Sequence, residues 1–132
     1  MEQQSVVLAR RWFEEVWNER RPEAVDELMA ADGVGHHEGV ETHGPTEFKE
    51  VRQQLLAAFP DIRISIEDVV GDDTQAVVRW RASARHRGEL MGIKASGRDV
   101  DFPGMTWFRF RDGQVVEGWD SWNQGALLQK LA

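Results

Sequence analysis

One carboxylate stands out among the residues that could carry acid/base chemistry. Asp120 lies near the end of an aromatic-rich segment that follows the turn at Asp112-Gly113. The sequence contains neither cysteine nor tyrosine, which excludes a thiolate nucleophile and a phenolic acid. Acid/base chemistry must therefore rest on Asp, Glu, His, Ser, Thr or a backbone amide.

Histidine is the second kind of residue suited to moving a proton near neutral pH. His36 and His37 are adjacent in a short extended segment, 34–38, so their side chains point to opposite faces. We favour His37 for the interior, and we place His86 at a second inward position at the end of a predicted strand. The helical i, i+4 spacing of a zinc site is missing and adjacent strand residues diverge, so we predict no metal site.

The segments that position these residues divide into helices and strands. Apolar residues recur at helical spacing in three N-terminal segments, 5–17, 22–31 and 46–59. From Asp61 the apolar period changes to two, which predicts four strands, 62–67, 78–86, 100–111 and 114–122. Helices followed by antiparallel strands favour one α+β domain over residues 1–132, with the helices packed on one face of a sheet.

The last two strands form a hairpin, and its loop length fixes which residues share a face. We predict a three-residue loop closed by Gly113, which pairs Gly104 with Asp120 and places Thr106 diagonal to Asp120. The inward face then consists of Thr106, Phe108, Phe110, Val116, Asp120 and Trp122. The outward face consists of Met105, Trp107, Arg109, Val115, Glu117 and Trp119. Asp120 would face an apolar cavity, where a carboxyl group can take and return a proton.

The outward face predicts a partner surface. Met105, Trp107 and Trp119 would form an exposed apolar patch. The patch is ringed by charged residues: Arg79, Arg81, Arg109 and Glu117. Exposed patches of this kind usually mark interfaces, and a two-fold homodimer through the outer face of the sheet is the simplest case.

Charge and hydropathy limit the other partners. The net charge of −7 argues against binding to nucleic acid, because phosphate neutralisation needs an excess of Lys and Arg. The first residues are polar and do not resemble a secretory signal, and no apolar run reaches the about 18 residues of a membrane span. We therefore expect a cytoplasmic protein that binds neither nucleic acid nor membranes.

Short motifs along nearly the whole chain resemble one known family. They are FEEVWN (13–18), VGHH (34–37), AAFPD (57–61), HRGELMGI (86–93), SGR (96–98), RDG (111–113) and EGWD (117–120). The chain is similar to the SnoaL-like polyketide cyclases, also called ester cyclases, of the NTF2-like superfamily. This resemblance implies a cone-shaped domain, in which three N-terminal helices pack over the concave face of a curved antiparallel sheet.

The resemblance also implies a function. Such cyclases bind a polycyclic polyketide ester in the cone and close its last ring by an intramolecular aldol condensation, without metal or cofactor. Their catalytic carboxylate falls on Asp120 here, and we expect help from His37 or Thr106. Contacts to an apolar carbonyl-containing substrate are predicted for Phe13, Trp17, Trp80, His86, Met91, Thr106, Phe108 and Trp122.

Two alternatives stay open. The first is a non-catalytic dimeric protein that binds an apolar small molecule; a carboxylate reachable from the cavity would favour catalysis instead. The second is an epoxide hydrolase of the limonene-epoxide type, which shares the fold. That chemistry uses an Asp-Arg-Asp arrangement with Tyr and Asn, so the missing tyrosine and the outward phase of Arg79 and Arg81 disfavour it.

Overall fold

The computed structural model describes residues 2–132, which form four helices and one six-stranded sheet. The helices are α1 (Gln4–Arg11), α2 (Pro22–Leu28), α3 (Gly44–Ala58) and α4 (Gln124–Leu131), and a π-helical segment (Trp12–Asn18) continues α1. The strands are β1 (Met29–His37), β2 (Val40–His43), β3 (Arg63–Gly71), β4 (Gln75–Arg85), β5 (Asp99–Arg111) and β6 (Gln114–Trp122). The predicted α+β fold with three N-terminal helices is confirmed, and α4 adds a C-terminal helix.

The sheet has the strand order β2-β1-β6-β5-β4-β3, and β1 is its unexpected member. It runs parallel to β6, whereas every other pair of neighbouring strands in the sheet is antiparallel. It also begins at Met29, where the sequence predicts the end of a helix. Met29 and Ala30 are buried, and Met29 pairs with Val115. Sheet pairing and burial therefore override the helical spacing of this segment.

The register of the β5–β6 hairpin differs from the prediction. The loop has two residues, Asp112 and Gly113, both with positive φ (54° and 77°), as a type I′ turn requires. A β-bulge between the Arg109 and Phe110 pairings then shifts the register by one residue. Thr106 therefore lies directly opposite Asp120, where the predicted three-residue loop placed it diagonally.

The bulge also decides which valine enters the core. Val115 is buried at 5% exposure and pairs with Phe110, so it takes the inward place predicted for Val116. The extra residue lies in β6, so β5 keeps the predicted alternation throughout: Thr106 and Phe108 are buried, while Met105 and Trp107 are about half exposed at 47% and 48%.

The π-helical segment turns a cluster of aromatic side chains toward the sheet. Trp12, Phe13 and Trp17 are all buried. Asn18 fixes the end of the segment to β3, because its side chain donates to Ile64 O and accepts from Ile64 N, both at 2.8 Å. Short π-helical stretches often occur at functional sites, and this one supplies three rings to the interior.

The tryptophan of β4 depends on a glycine in β5. Trp80 pairs with Gly104, and a Cβ built at Gly104 would lie 2.2 Å from the Trp80 indole carbon Cζ2. No real side chain fits at that distance, so glycine leaves the space that the indole occupies.

We expect the substitution Gly104→Ala to lower the free energy of unfolding by about 1–3 kcal/mol, the usual cost of overpacking. Chemical denaturation followed by fluorescence measures this change. Gly125→Ala in α4 is the matched control, because a Cβ there meets nothing closer than 3.8 Å. Equal stability of the two variants would contradict the packing role of Gly104.

Candidate active site

Two connected chambers lie between the helices and the inner face of the sheet. The inner chamber, about 80 Å³, has eight aromatic rings in its wall, from Trp12, Phe13, Trp17, Phe48, Trp80, Phe102, Phe108 and Trp122. The outer chamber, about 460 Å³, is lined partly by more exposed residues such as Val40 and Met91. Both are lined by Trp17, His37, Phe48, Leu55, Asp120 and Trp122, which therefore form their boundary.

Asp120 is held at this boundary by two hydrogen bonds. The Thr106 hydroxyl donates to Oδ1 at 2.7 Å, and Oδ2 lies 2.7 Å from Nδ1 of His37. The carboxylate side chain remains 29% exposed. Asp120 is thus fixed in orientation by its neighbours and is still reachable from the cavity.

The direction of the bond from Thr106 follows from a third residue. The indole Nε1 of Trp80 donates to Thr106 Oγ1 at 2.9 Å, and an indole N–H can only donate. The single hydroxyl proton of Thr106 is therefore free to point at Asp120. The chain Trp80–Thr106–Asp120 stabilises the carboxylate as an acceptor.

His37 reaches Asp120 because β1 and β6 run parallel. Gly35 pairs with Gly118 and His36 with Trp119, so the register brings His37 beside Asp120. The other ring nitrogen of His37 lies 3.1 Å from the hydroxyl of Thr42, which is buried on β2. Both ring nitrogens are therefore engaged, and an N–H at Nδ1 would donate to the carboxylate.

The ends of the two strands are also joined by Glu38. Its Oε1 accepts a hydrogen bond from the backbone N–H of Trp122 at 3.1 Å. Glu38 and Trp122 both line the outer chamber. This contact helps to fix the strand ends that carry His37 and Asp120.

The family model described as SnoaL-like polyketide cyclase matches residues 7–131. The chain belongs to the SnoaL-like polyketide cyclase family. No match was found among curated proteins.

Several solved structures share the fold of this SnoaL-like protein. A candidate SnoaL-like polyketide cyclase from Jannaschia sp. CCS1 has a TM-score of 0.91 and 24% identity, over 97% of this chain and 91% of that one. IdmH, a candidate polyketide cyclase from Streptomyces antibioticus, has a TM-score of 0.84 and 27% identity, over 98% and 99%. AclR, a candidate hydroxylase from Streptomyces galilaeus, has a TM-score of 0.83 and 27% identity, over 95% and 78%.

Most residues that the sequence predicts for the site of this SnoaL-like protein lie together. The inner chamber is lined by Phe13, Trp17, Trp80, Thr106, Phe108 and Trp122, along with His37 and Asp120. Met91 lines only the outer chamber, where it is 59% exposed at a positive φ of 48°. It belongs to the rim of the site.

The structure does not bring His86 together with the other predicted site residues. His86 is fully buried and lies outside both chambers. Its Nδ1 accepts the backbone N–H of Ser96 at 3.1 Å, and its ring packs 5.8 Å from that of Phe59. The inward strand phase holds at His86, since Ala84 and His86 are both buried, but the space on that side is occupied by Phe59 and by the loop that carries Ser96.

Three aromatic rings of the inner chamber are missing from the prediction: Trp12, Phe48 and Phe102. Phe102 shares the inward phase of Phe108 on β5, so strand alternation could have identified it. Phe48 lies on the apolar side of α3. Trp12 lies three residues after Ala9 and four before Val16, so helical spacing could have identified it as well.

Three further observations concern metal ligands, membrane-spanning helices and the second histidine of β1. Within residues 2–132, no three His, Asp or Glu side chains form a group that could hold a metal ion. None of the helices formed by these residues is both long and apolar enough to cross a membrane. His36 lies on the outer face, where its ring stacks 5.4 Å from that of Trp119.

Gly35 creates the space that His37 and Thr42 share. A Cβ at Gly35 would lie 2.5 Å from His37 Nε2 and 2.7 Å from Thr42 Oγ1. We expect Gly35→Ala to displace the His37 ring from Asp120 and to destabilise the fold by about 1–3 kcal/mol. The nitrogen chemical shifts of the His37 ring, measured by NMR, report this displacement.

The paired residue Gly118 provides the control. A Cβ at Gly118 meets nothing closer than 3.7 Å, so Gly118→Ala should leave the resonances of the His37 ring unchanged. If Gly35→Ala also leaves them unchanged, Gly35 has no role in positioning the histidine.

Proposed function

We propose that this SnoaL-like protein is a cofactor-independent enzyme that performs acid/base chemistry on an apolar, carbonyl-containing small molecule. The reaction is an aldol-type cyclisation or an isomerisation. One observation carries the proposal: the Asp120 carboxylate is oriented by Thr106 and His37 at the boundary of two largely apolar chambers, and it remains accessible.

Asp120 acts as base and then as acid. Its carboxylate removes a proton from the carbon next to the substrate carbonyl, which leaves an enolate. In a cyclisation, this carbon attacks a second carbonyl of the same molecule, a C–C bond forms, and the new alkoxide takes the proton back from Asp120. In an isomerisation, the proton returns to a different carbon. Either sequence regenerates the carboxylate without a further reactant.

His37 assists by holding and tuning the carboxylate. Its Nδ1 lies within hydrogen-bond distance of Oδ2, so an N–H there stabilises the charged base before the proton moves. Thr106 has the corresponding role at Oδ1. We therefore assign Asp120 as the catalytic residue and His37 and Thr106 as its positioning residues.

The chambers suit a flat apolar substrate. The outer chamber, at about 460 Å³, lies within the ~300–1,000 Å³ typical of small-molecule sites. The aromatic wall of the inner chamber excludes water from the reacting atoms. The family to which the chain belongs supports a polyketide-like substrate with several carbonyl groups.

The arrangement does not favour an epoxide hydrolase of the limonene-epoxide type. That chemistry needs an arginine between two carboxylates, and among the described residues no arginine lines either chamber. Arg79 and Arg81 instead form ion pairs with Glu67 at 3.1 and 3.7 Å, and all three side chains are more than 30% exposed.

Exchange of a ketone proton tests the catalytic proposal without knowledge of the natural substrate. We expect the protein to accelerate deuterium incorporation next to the carbonyl of α-tetralone in D₂O, followed by NMR. Asp120→Asn should reduce this acceleration by about 10²–10⁴-fold, because it removes the base.

Asp101→Asn is the matched control, since Asp101 is an exposed carboxylate that pairs with Arg81. Its rate should equal that of the unchanged protein. Full activity in a folded Asp120→Asn variant would refute the role of Asp120. Binding of α-tetralone without any exchange would instead support the non-catalytic alternative.

We also propose that two copies of the protein associate through the outer face of the sheet. Met105 and Trp107 are about half exposed there, at 47% and 48%. Trp107 packs against Trp119 at 6.4 Å, and the Arg109 guanidinium lies 5.3 Å from the Trp119 ring. Such an apolar patch with a charged rim is typical of an interface.

Trp107→Lys should convert this dimer into a monomer, because it places a charge in the centre of the apolar patch. Sedimentation equilibrium at micromolar concentration measures the mass. Val7→Lys is the control, since Val7 is also apolar and 42% exposed but lies on helix α1 rather than on the sheet. A monomeric unchanged protein would refute the dimer.

A further inference from the structure

The inner chamber combines aromatic walls with a negative charge. Its polar side chains are His37, Thr106 and Asp120, and eight aromatic rings surround them. The outer chamber adds two further carboxylates, Glu38 and Glu89. Among the described residues, neither chamber is lined by a lysine or an arginine. A ligand therefore enters an environment of negative potential.

The hydrogen-bond donors of the inner chamber are already engaged. The N–H of Trp80 points to Thr106, and the Thr106 hydroxyl points to Asp120. The ring nitrogens of His37 face Asp120 and Thr42. An anionic group would find no cationic side chain and few free donors, so the chambers disfavour carboxylate and phosphate ligands.

A positively charged alkylammonium group fits the same surroundings. The faces of aromatic rings attract cations, most strongly for tryptophan, and four of the eight rings are tryptophan. Asp120 supplies the counter-charge at the edge of the chamber. The chamber volume of about 80 Å³ holds roughly five to eight water-sized groups at ~10–15 Å³ each, about the size of a trimethylammonium head.

We propose that the inner chamber binds the alkylammonium group of an amine-bearing ligand, held by its aromatic rings and by the Asp120 carboxylate. This inference narrows the proposed substrate to a carbonyl compound whose otherwise apolar body carries an alkylammonium group, and it rests on the proposed function only in that the ligand enters the same site. Among the residues that the structure describes, neither chamber offers a cationic side chain that could stabilise the negative charge of the enolate. The ammonium group of the substrate would supply a positive charge for this purpose.

A pair of probes of equal shape tests the proposal without turnover. Choline carries a trimethylammonium head. Its neutral isostere is the dimethylbutanol isomer in which a tert-butyl group replaces the trimethylammonium head. Titration at pH 8 gives the two dissociation constants by NMR. We expect choline to bind at least tenfold more tightly, with its methyl protons shifted upfield by the surrounding rings.

Variants of the chamber distinguish choline binding in the chamber from choline binding to carboxylates on the surface. Asp120→Asn should reduce the preference for choline at least fivefold, and Trp122→Leu should weaken choline binding while the thermal unfolding of both variants shows that they are folded. Asp101→Asn, on the outer face, should keep the full preference.

Equal binding of the two probes would overturn the proposal and leave an ordinary apolar pocket. Absence of choline binding, or binding without the upfield shift, would also overturn it. These outcomes are independent of the exchange of α-tetralone protons: a protein that lacks the exchange can still prefer choline, and one that shows it can bind both probes equally.

Discussion

The Asp120 carboxylate depends on hydrogen bonds from both strands that flank β6. Thr106 on β5 holds one oxygen, and His37 on β1 lies against the other. Each of these partners is itself held, Thr106 by Trp80 on β4 and His37 by Thr42 on β2. Side chains from four other strands therefore hold this one carboxylate of β6 in position. A base fixed in this way needs little reorganisation before it accepts a proton.

Glycine makes this concentration of side chains possible. Gly104 leaves space for the Trp80 indole, and Gly35 leaves space for the His37 ring and the Thr42 hydroxyl. Both lie at sheet positions where a neighbouring side chain crosses the backbone closely. The same sheet that supplies the polar chain can therefore also pack large aromatic rings around it, so the carboxylate lies beside a largely aromatic wall.

The acidic side chains on the two faces of the sheet have different partners. On the outer face, arginines and acids alternate and pair, and Arg85 lowers the pKa of the Asp99 carboxyl by a hydrogen bond and by its charge. On the inner face, the carboxylate of Asp120 has only neutral hydrogen-bond donors and a histidine beside it. The acids of the outer face thus have arginine partners, whereas among the described residues no lysine or arginine lines the chambers beside Asp120.

Residue alternation alone predicted the inward positions of Thr106 and Phe108 on β5 and of Asp120 on β6, although the bulge moved Val115 rather than Val116 into the core. Strand period is a local property, so it survived the wrong loop length. The family motifs likewise identified the fold, because they extend over nearly the whole chain.

Only the tertiary structure decided which residues meet. The bulge placed Thr106 opposite Asp120, and the parallel pairing of β1 with β6 brought His37 to a residue 83 positions away in the chain. His86 shares its residue type and its inward strand phase with other predicted site residues, yet it packs against Phe59 and the loop of Ser96, outside the chambers. Pairing between distant strands and the ends of strands are set by packing of the whole domain, which no local pattern contains.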